Sequence, residues 1–195
     1  MGNDPRWVPP GALVEVTQKA IHGRPLLRPS RDLGDVFIGA LIRAAQRYPV
    51  KVCAFVALSN HTHLLLIPRD CEALSAFMTY FGGNVAKEIG RLHDWRQKVF
   101  GRRFAHVVLS DEPEEQESRL RYLLSNGCKE GLVKRPEDWP GPSSTEALLT
   151  GTKVRGVWFD RSAEYEARRR HRPVGKYEFA EANDLELAPI PAWEP

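Results

Sequence analysis

The 195-residue sequence lacks any long hydrophobic run. No apolar stretch approaches the roughly 18 residues that a membrane span needs, so no membrane partner is expected. Its first residues, Met1-Gly2-Asn3-Asp4-Pro5, lack a basic region followed by an apolar one, and no secretory signal is expected. Cysteine is scarce: Cys53, Cys71 and Cys128 are odd in number and show no paired metal-ligand spacing. Reduced thiols in a cytoplasmic protein are the simplest reading. Charge of one sign is in small excess, a formal net +3, which permits nucleic-acid binding without arguing for it. The distribution says more. Arg91, Arg96, Lys98, Arg102 and Arg103 cluster, and Arg168-Arg169-Arg170-His171-Arg172 forms a second run. The apolar fraction, 42 %, is that of an ordinary globular chain long enough for one domain with a core.

What is present is a regular succession of strand and helix patterns. Residues 1–11 are rich in Pro and Gly and read as extended. Leu13 to about Ala20 alternates and is β-branched, a first strand. After a Pro- and Gly-bearing loop, Ser30 or Asp32 can cap a helix whose apolar face is Leu33, Phe37, Ala40, Leu41, Ala44 and Tyr48, ended by Pro49. Val50 to Leu58 is an almost continuous apolar strand, which suggests an inner strand. Ser59-Asn60 is a tight turn, and Ser59-Asn60-His61-Thr62-His63-Leu64-Leu65-Leu66-Ile67 opens the returning strand of a hairpin. Leu74, Phe77, Met78, Phe81, Val85, Ile89 and Leu92 mark a long helix over about 72–92, with Gly82-Gly83 inside it to bend it or admit another backbone. Residues 104–109 form a fourth strand. A cap at Ser110 or Asp111, Pro113 and an acidic first turn start a helix that carries Leu120, Leu123 and Leu124 inward and stops near Gly127. A short helix is expected near 146–149 and another near 161–170. The order β-α-β-β-α-β-α is the split βαβ, ferredoxin-like pattern. The fold class is therefore α+β, with a mostly antiparallel four-stranded sheet and helices on one face. Two regions are expected: residues 1–150 as the folded domain, and 151–195 as a C-terminal extension, partly helical or disordered.

His61 and His63 are two apart on a strand and share a face. Two imidazoles side by side are half of a divalent metal site. Tyr122 and Asn126 are four apart on the last helix, off its apolar stripe, so both are free to meet something else. Two imidazoles and an amide oxygen could hold Mg²⁺ or Mn²⁺ against a phosphodiester, with the tyrosine as nucleophile. Blander readings stand beside these. The histidines could be a structural pair, Tyr122 a packing residue, Asn126 a helix C-cap, and the basic stretch a solvated face. The stretch leads into the strand beside the site, which favours DNA-backbone contacts by Arg96, Lys98, Arg102 and Arg103.

The residues resemble a known family, the single-tyrosine HUH transposases, in particular the REP-associated tyrosine transposases related to insertion-sequence-200-like transposases. The resemblance runs in register from about Leu13 to Ser144. Leu58-Ser59-Asn60-His61-Thr62-His63-Leu64-Leu65 is similar to the family's MPNHxH strand. Lys98-Val99-Phe100-Gly101-Arg102-Arg103-Phe104 is similar to the stretch that leads into its fourth strand. Arg121-Tyr122-Leu123-Leu124-Ser125-Asn126, then Gly131-Leu132-Val133, Pro136-Glu137-Asp138-Trp139-Pro140 and Ser143-Ser144, is similar to its ending. Leu58-Ser59 stands in place of Met-Pro, and Gly127 follows Asn126 in place of proline, which loosens the helix end. Thr62 replaces a bulky hydrophobe, on the opposite face.

The resemblance implies a ferredoxin-like nuclease fold and a metal-dependent enzyme that cuts and rejoins single-stranded or hairpin DNA through a 5′-phosphotyrosine link. It implies His61 and His63 as metal ligands, Asn126 at the third ligand position, Tyr122 as nucleophile, a divalent Mg or Mn cofactor, and a monomer or homodimer. The alternative on the same fold is a domesticated, non-catalytic binder of structured DNA or RNA. A phosphodiesterase without a covalent step, and a plain RNA-binding module using Phe55 and Phe104 on the sheet, rank behind these.

Overall fold

A computed structural model describes residues 7–193. Strands β1 (Val14–Lys19), β2 (Val50–Ala57), β3 (His61–Pro68) and β4 (Ala105–Val108) stand in the order β2-β3-β1-β4, every neighbouring pair antiparallel. Helices α1 (Arg31–Arg47) and α2 (Cys71–Leu92) cross between them, so the ferredoxin-like order read from the sequence is the order of the fold. Ser30 caps α1 by accepting from the Leu33 amide at 3.1 Å, and Asp70 caps α2 by accepting from Ala73 at 2.7 Å. Of the stretch expected to be extended, residues 1–6 lie outside the described residues, and Pro10-Gly11 form a turn with Gly11 at φ +76°.

The period of two along each strand decides which helix it meets. Val14, Val16, Leu64 and Leu66 pack against Phe37 and Leu41 of α1 and Phe77 and Phe81 of α2. The opposite parity, Leu13, Leu65 and Ile67, packs under Leu120 and Leu123 of a third helix, α3 (Pro113–Leu124). Helices therefore cover both faces, not one as expected. On the second face the cover is partial. Helix α3 lies over β2 and β3, while Ala105 and Val107 of β4 stay exposed, Val107 by 52 %. An open half-face of sheet remains beside α3.

Strand β2 is an edge strand, not the inner strand its composition suggested. It reads as continuously apolar because both faces are covered and its free edge is closed. Ala57 N donates to Pro142 O at 2.8 Å, Ser144 N to Phe55 O at 2.9 Å, and Trp139 Nε1 to Ala57 O at 3.0 Å. The Pro-rich loop 139–144 thus occupies the hydrogen bonds that an edge would otherwise expose.

After helix α5 (Thr145–Thr150) come strand β5 (Val154–Phe159), helix α6 (Arg161–Arg169) and strand β6 (Ala180–Leu185), with β5 and β6 paired antiparallel. The strand pair lies on α1 through two glycines. A Cβ on Gly39 would stand 1.9 Å from Val157 O, and one on Gly156 would stand 2.6 Å from Gly39 N. The chain then returns along the β2 edge, where Ala188 N donates to Val52 O at 2.9 Å, and ends against α3. There Ile190 is buried and Ala192 N donates to Gln116 Oε1 at 2.9 Å. Gly39→Ala should lower stability by about 3 kcal/mol, the upper end for overpacking, because the opposing atoms are backbone. Thermal unfolding measures it, and an unchanged midpoint would contradict the docking of β5 on α1.

Candidate active site

The two histidines of β3 point to the face that carries α3, where Leu65 and Ile67 of the same parity pack under Leu120 and Leu123. Thr62 points the other way and is fully buried. The imidazole rings of His61 and His63 lie 5.0 Å apart at 74°. Their tautomers follow from their partners. His63 Nδ1 lies 2.8 Å from Glu15 Oε1, and Glu15 is 5 % exposed with its other oxygen 3.1 Å from Arg119 Nη1. A carboxylate held by a guanidinium can only accept, so Nδ1 carries the hydrogen and the Nε2 lone pair is free. His61 Nδ1 lies 2.6 Å from Asn60 Oδ1, an acceptor too, and its Nε2 is likewise free. Burial pulls the His61 pKa down to about 4, with His63 and Lys19 adding to it, so the ring is neutral at pH 7. Each ring thus has its Nδ1 turned to an acceptor and its Nε2 left as the atom that could ligate a metal.

Tyr122 sits one helical position short of the core stripe of α3, 39 % exposed. Its ring centroid is 6.4 Å from that of His63, again at 74°. Lys129 Nζ stands 3.5 Å from the ring centroid and Arg119 Cζ stands 5.6 Å from it. Lys129 is seven residues on, about two helical turns from Tyr122. Helix α3 ends at Leu124, Ser125 caps it, and a separate helical turn, α4 (Asn126–Lys129), follows. The sequence pattern had Tyr122 and Asn126 on one continuous helix. The break comes from side chains that compete for the last carbonyls: Ser125 Oγ donates to Tyr122 O and Asn126 Nδ2 to Leu123 O, both at 3.2 Å. Asn126 is buried, and its Oδ1 accepts no hydrogen bond among the described residues. Gly127 does not leave this end loose. A Cβ there would stand 3.1 Å from Val133 and 3.2 Å from Trp139, and Gly127 O accepts from Leu132 N at 2.9 Å. Glycine lets Trp139 close over the turn.

The basic residues divide. Lys98, Arg102 and Arg103 line one cleft, and Arg102 and Arg103 also line the neighbouring one, beside Thr17 and Lys19. Arg96 lines neither; it pairs with Asp94 at 3.8 Å on fully solvated side chains.

Among proteins of known kind, the chain is 27 % identical over 119 residues to a protein of Haemophilus influenzae named as a REP-associated tyrosine transposase, covering 56 % of this chain and 67 % of the relative. The chain is therefore similar to a REP-associated tyrosine transposase in sequence. No protein-family model matches it. A solved REP-associated tyrosine transposase bound to a REP hairpin superposes with a TM-score of 0.61 at 19 % identity, over 77 % of this chain and 87 % of that one, which establishes the shared fold. Among the described residues no helix is long and apolar enough to cross a membrane.

Within the transposase-like fold, the donor set can be tested against a divalent cation. Among the described residues no three of His, Cys, Asp or Glu gather into a metal cluster. Of the three expected ligands, the two imidazoles stand together, and the Asn126 side chain bonds to Leu123 O through its nitrogen. Two imidazoles alone leave most positions of a cation open, which fits a catalytic ion more than a closed structural one. Sequence reasoning missed Glu15 and Lys129. Glu15 carries one visible signal: it is an acidic residue on the same strand parity as the apolar Leu13. Its partner His63 is 48 positions away, and nothing in the sequence joins them.

Proposed function

We propose that this chain is a strand transferase of the HUH type that cuts and rejoins single-stranded DNA beside hairpins, with Tyr122 as nucleophile and His61, His63 and Asn126 holding Mg²⁺ or Mn²⁺. The observation that carries the reading is the packing of the His61 ring edge-on to the His63 ring, and of the His63 ring beside an exposed tyrosine ring, on an open half-face of sheet. The hairpin bound by the solved neighbour supports the substrate class. When bound, the cation would polarise the scissile phosphodiester and offset charge developing on its oxygens.

The protein's own part is as follows. Tyr122 gives up its phenolic proton, and its oxygen forms the bond to the 5′-phosphate. The bond to the preceding 3′ oxygen breaks, and that oxygen takes a proton and leaves as a 3′-hydroxyl. Attack of a 3′-hydroxyl on the phosphotyrosine reverses the step and joins strands. An unperturbed tyrosine ionises near pH 10, so the phenolate needs support. The Lys129 ammonium stands over the ring face, a cation placed beside the reacting tyrosine. Glu15 holds the His63 ring in one tautomer, and Lys19, Arg102 and Arg103 offer charge to the DNA backbone beside the site.

Incubation with hairpin-bearing single strands and Mn²⁺ or Mg²⁺ should give a protein–DNA adduct that survives denaturing electrophoresis and disappears with chelator. No adduct with either metal would sink the catalytic reading. One observation favours a second reading, a non-catalytic binder of structured DNA or RNA: the third donor is a neutral amide already tied by its nitrogen to Leu123 O. That reading requires hairpin binding that ignores chelator and no cleavage under any metal.

A further inference from the structure

Of the three buried residues of α3, Gln116, Leu120 and Leu123, only the first is polar. Gln116 keeps the helical spacing of the two leucines and is 1 % exposed, so an amide occupies a core position. Both ends of that amide are used. Nε2 donates to Ser110 O, and Oε1 accepts from Ala192 N, each at 2.9 Å. One side chain therefore ties α3 to the segment that enters it and to the C-terminal end of the described chain. A buried amide is costly where apolar packing would serve, unless its hydrogen bonds hold something in place.

What it holds is a strap that runs from Ala188 to Trp193, beyond Ser144, where the resemblance to the transposase family ends. The strap is anchored first on β2. Ala188 N donates to Val52 O at 2.9 Å, and Cys53 Sγ donates to Pro189 O at 3.5 Å. Ile190 is then buried among Leu13, Leu65, Leu120 and Leu123. After Ala192 has met Gln116, Trp193 Nε1 donates to Glu117 Oε1 at 3.2 Å, and the other Glu117 oxygen accepts from Arg121 Nη2 at 3.1 Å. The strap thus grips α3 at two consecutive residues. Elsewhere the helix is loosely bounded. One flank borders a cleft of about 430 Å³ lined by Leu120, Leu124, Leu148, Leu149 and Trp193, and another borders the open half-face of sheet.

We propose that Gln116 and the strap it holds are positioning elements for the nucleophile: they set α3 so that Tyr122 stands beside His63. The proposal rests on the nucleophile reading above and adds to it the part of the chain that aims the tyrosine. Tyr122 lies six residues from Gln116, about 9 Å along the helix axis, so a small tilt where the strap grips is enlarged at the phenol. A misplacement of about 1 Å costs on the order of 10²-fold in rate. The DNA-facing cations Lys19, Arg102 and Arg103 stand on β1 and on the loop before β4, not on α3. The strap therefore acts on the rate of attack and leaves hairpin affinity alone.

Two variants test it beside the wild-type chain. A chain stopped after Leu187 removes the strap, and Gln116→Leu keeps the strap but removes the amide that ties it. Each is read by the rate of adduct formation at saturating hairpin DNA with Mn²⁺, by hairpin affinity, and by amide hydrogen exchange. Adduct formation should slow by about 10²-fold in both while hairpin affinity is unchanged. Exchange should quicken in α3, and α1 and α2 should keep their protection. Trp193→Ala removes a half-exposed side chain and one hydrogen bond. It should slow the adduct several-fold with the same split, and it decides the matter should the other two not fold. Rate and affinity falling together, with protection lost in α1 and α2, overturn the positioning role in favour of a purely structural one. An unchanged rate overturns it, and so does a faster one, which would make the strap a restraint. A wild-type chain that forms no adduct overturns the nucleophile reading and the strap's role with it, whereas a wild-type adduct matched by every variant overturns the strap alone.

Discussion

Tyr122→Phe should abolish the covalent protein–DNA adduct, a loss of at least about 10³-fold on the scale of removing a catalytic nucleophile. It should leave the fold and hairpin binding unchanged. The surroundings make the change a clean one. The phenyl ring keeps its contact with Lys129, 3.5 Å from the centroid, with Arg119, and with His63 at 6.4 Å. The ring is 39 % exposed, so no buried donor or acceptor loses a partner when the hydroxyl goes. Thermal midpoint and hairpin affinity should match wild type within error. An undiminished adduct in the variant would withdraw the nucleophile role. Plain strand hydrolysis in the variant, lost again in His61→Ala, would point instead to a phosphodiesterase that needs the imidazoles and not the tyrosine.

The fold was legible because its signals are local. Alternation in Val14–Lys19, the apolar stripes of α1 and α2, Pro49 and the Ser59-Asn60 turn each act over a few residues, and they specify the order of the elements. The histidine pair was legible for the same reason, since strand parity alone puts both rings on one face. What escaped depends on contacts between distant segments. Strand β2 reads as a buried inner strand, and only the docking of Pro142 and Ser144 on its edge explains why it is an outer one. Strand β6, Ala180–Leu185, contains Glu, Asn and Asp and has no strand propensity to read. It forms because β5 is held on α1 by the Gly39–Gly156 contact and offers it a partner. The break between α3 and α4 escaped because a helical pattern carries no sign that Ser125 and Asn126 will turn back onto the carbonyls of Tyr122 and Leu123.

Glu15→Gln should lower affinity for Mn²⁺ by about 10- to 100-fold, the range for losing a carboxylate behind a metal-binding histidine, while the protein stays folded. The argument is about hydrogens rather than charge alone. In the wild-type chain one Glu15 oxygen accepts from His63 Nδ1 and the other lies 3.1 Å from Arg119. Glutamine has one oxygen and one NH₂ in the same two places. Arg119 can only donate, so the amide oxygen must turn to it, and the NH₂ then faces His63. His63 Nδ1 is forced to accept, its hydrogen moves to Nε2, and the lone pair that a cation would use is gone. Calorimetric Mn²⁺ titration reads the effect apart from any DNA chemistry. The explanation makes a second demand. In the double variant Glu15→Gln with Arg119→Met nothing compels the amide oxygen to face residue 119, so it can turn to His63 and restore the ligating tautomer. Manganese affinity should recover toward the wild-type value, even though another charged group has been removed. If the double variant binds metal no better than Glu15→Gln alone, Glu15 acts through its negative charge and the tautomer account is wrong.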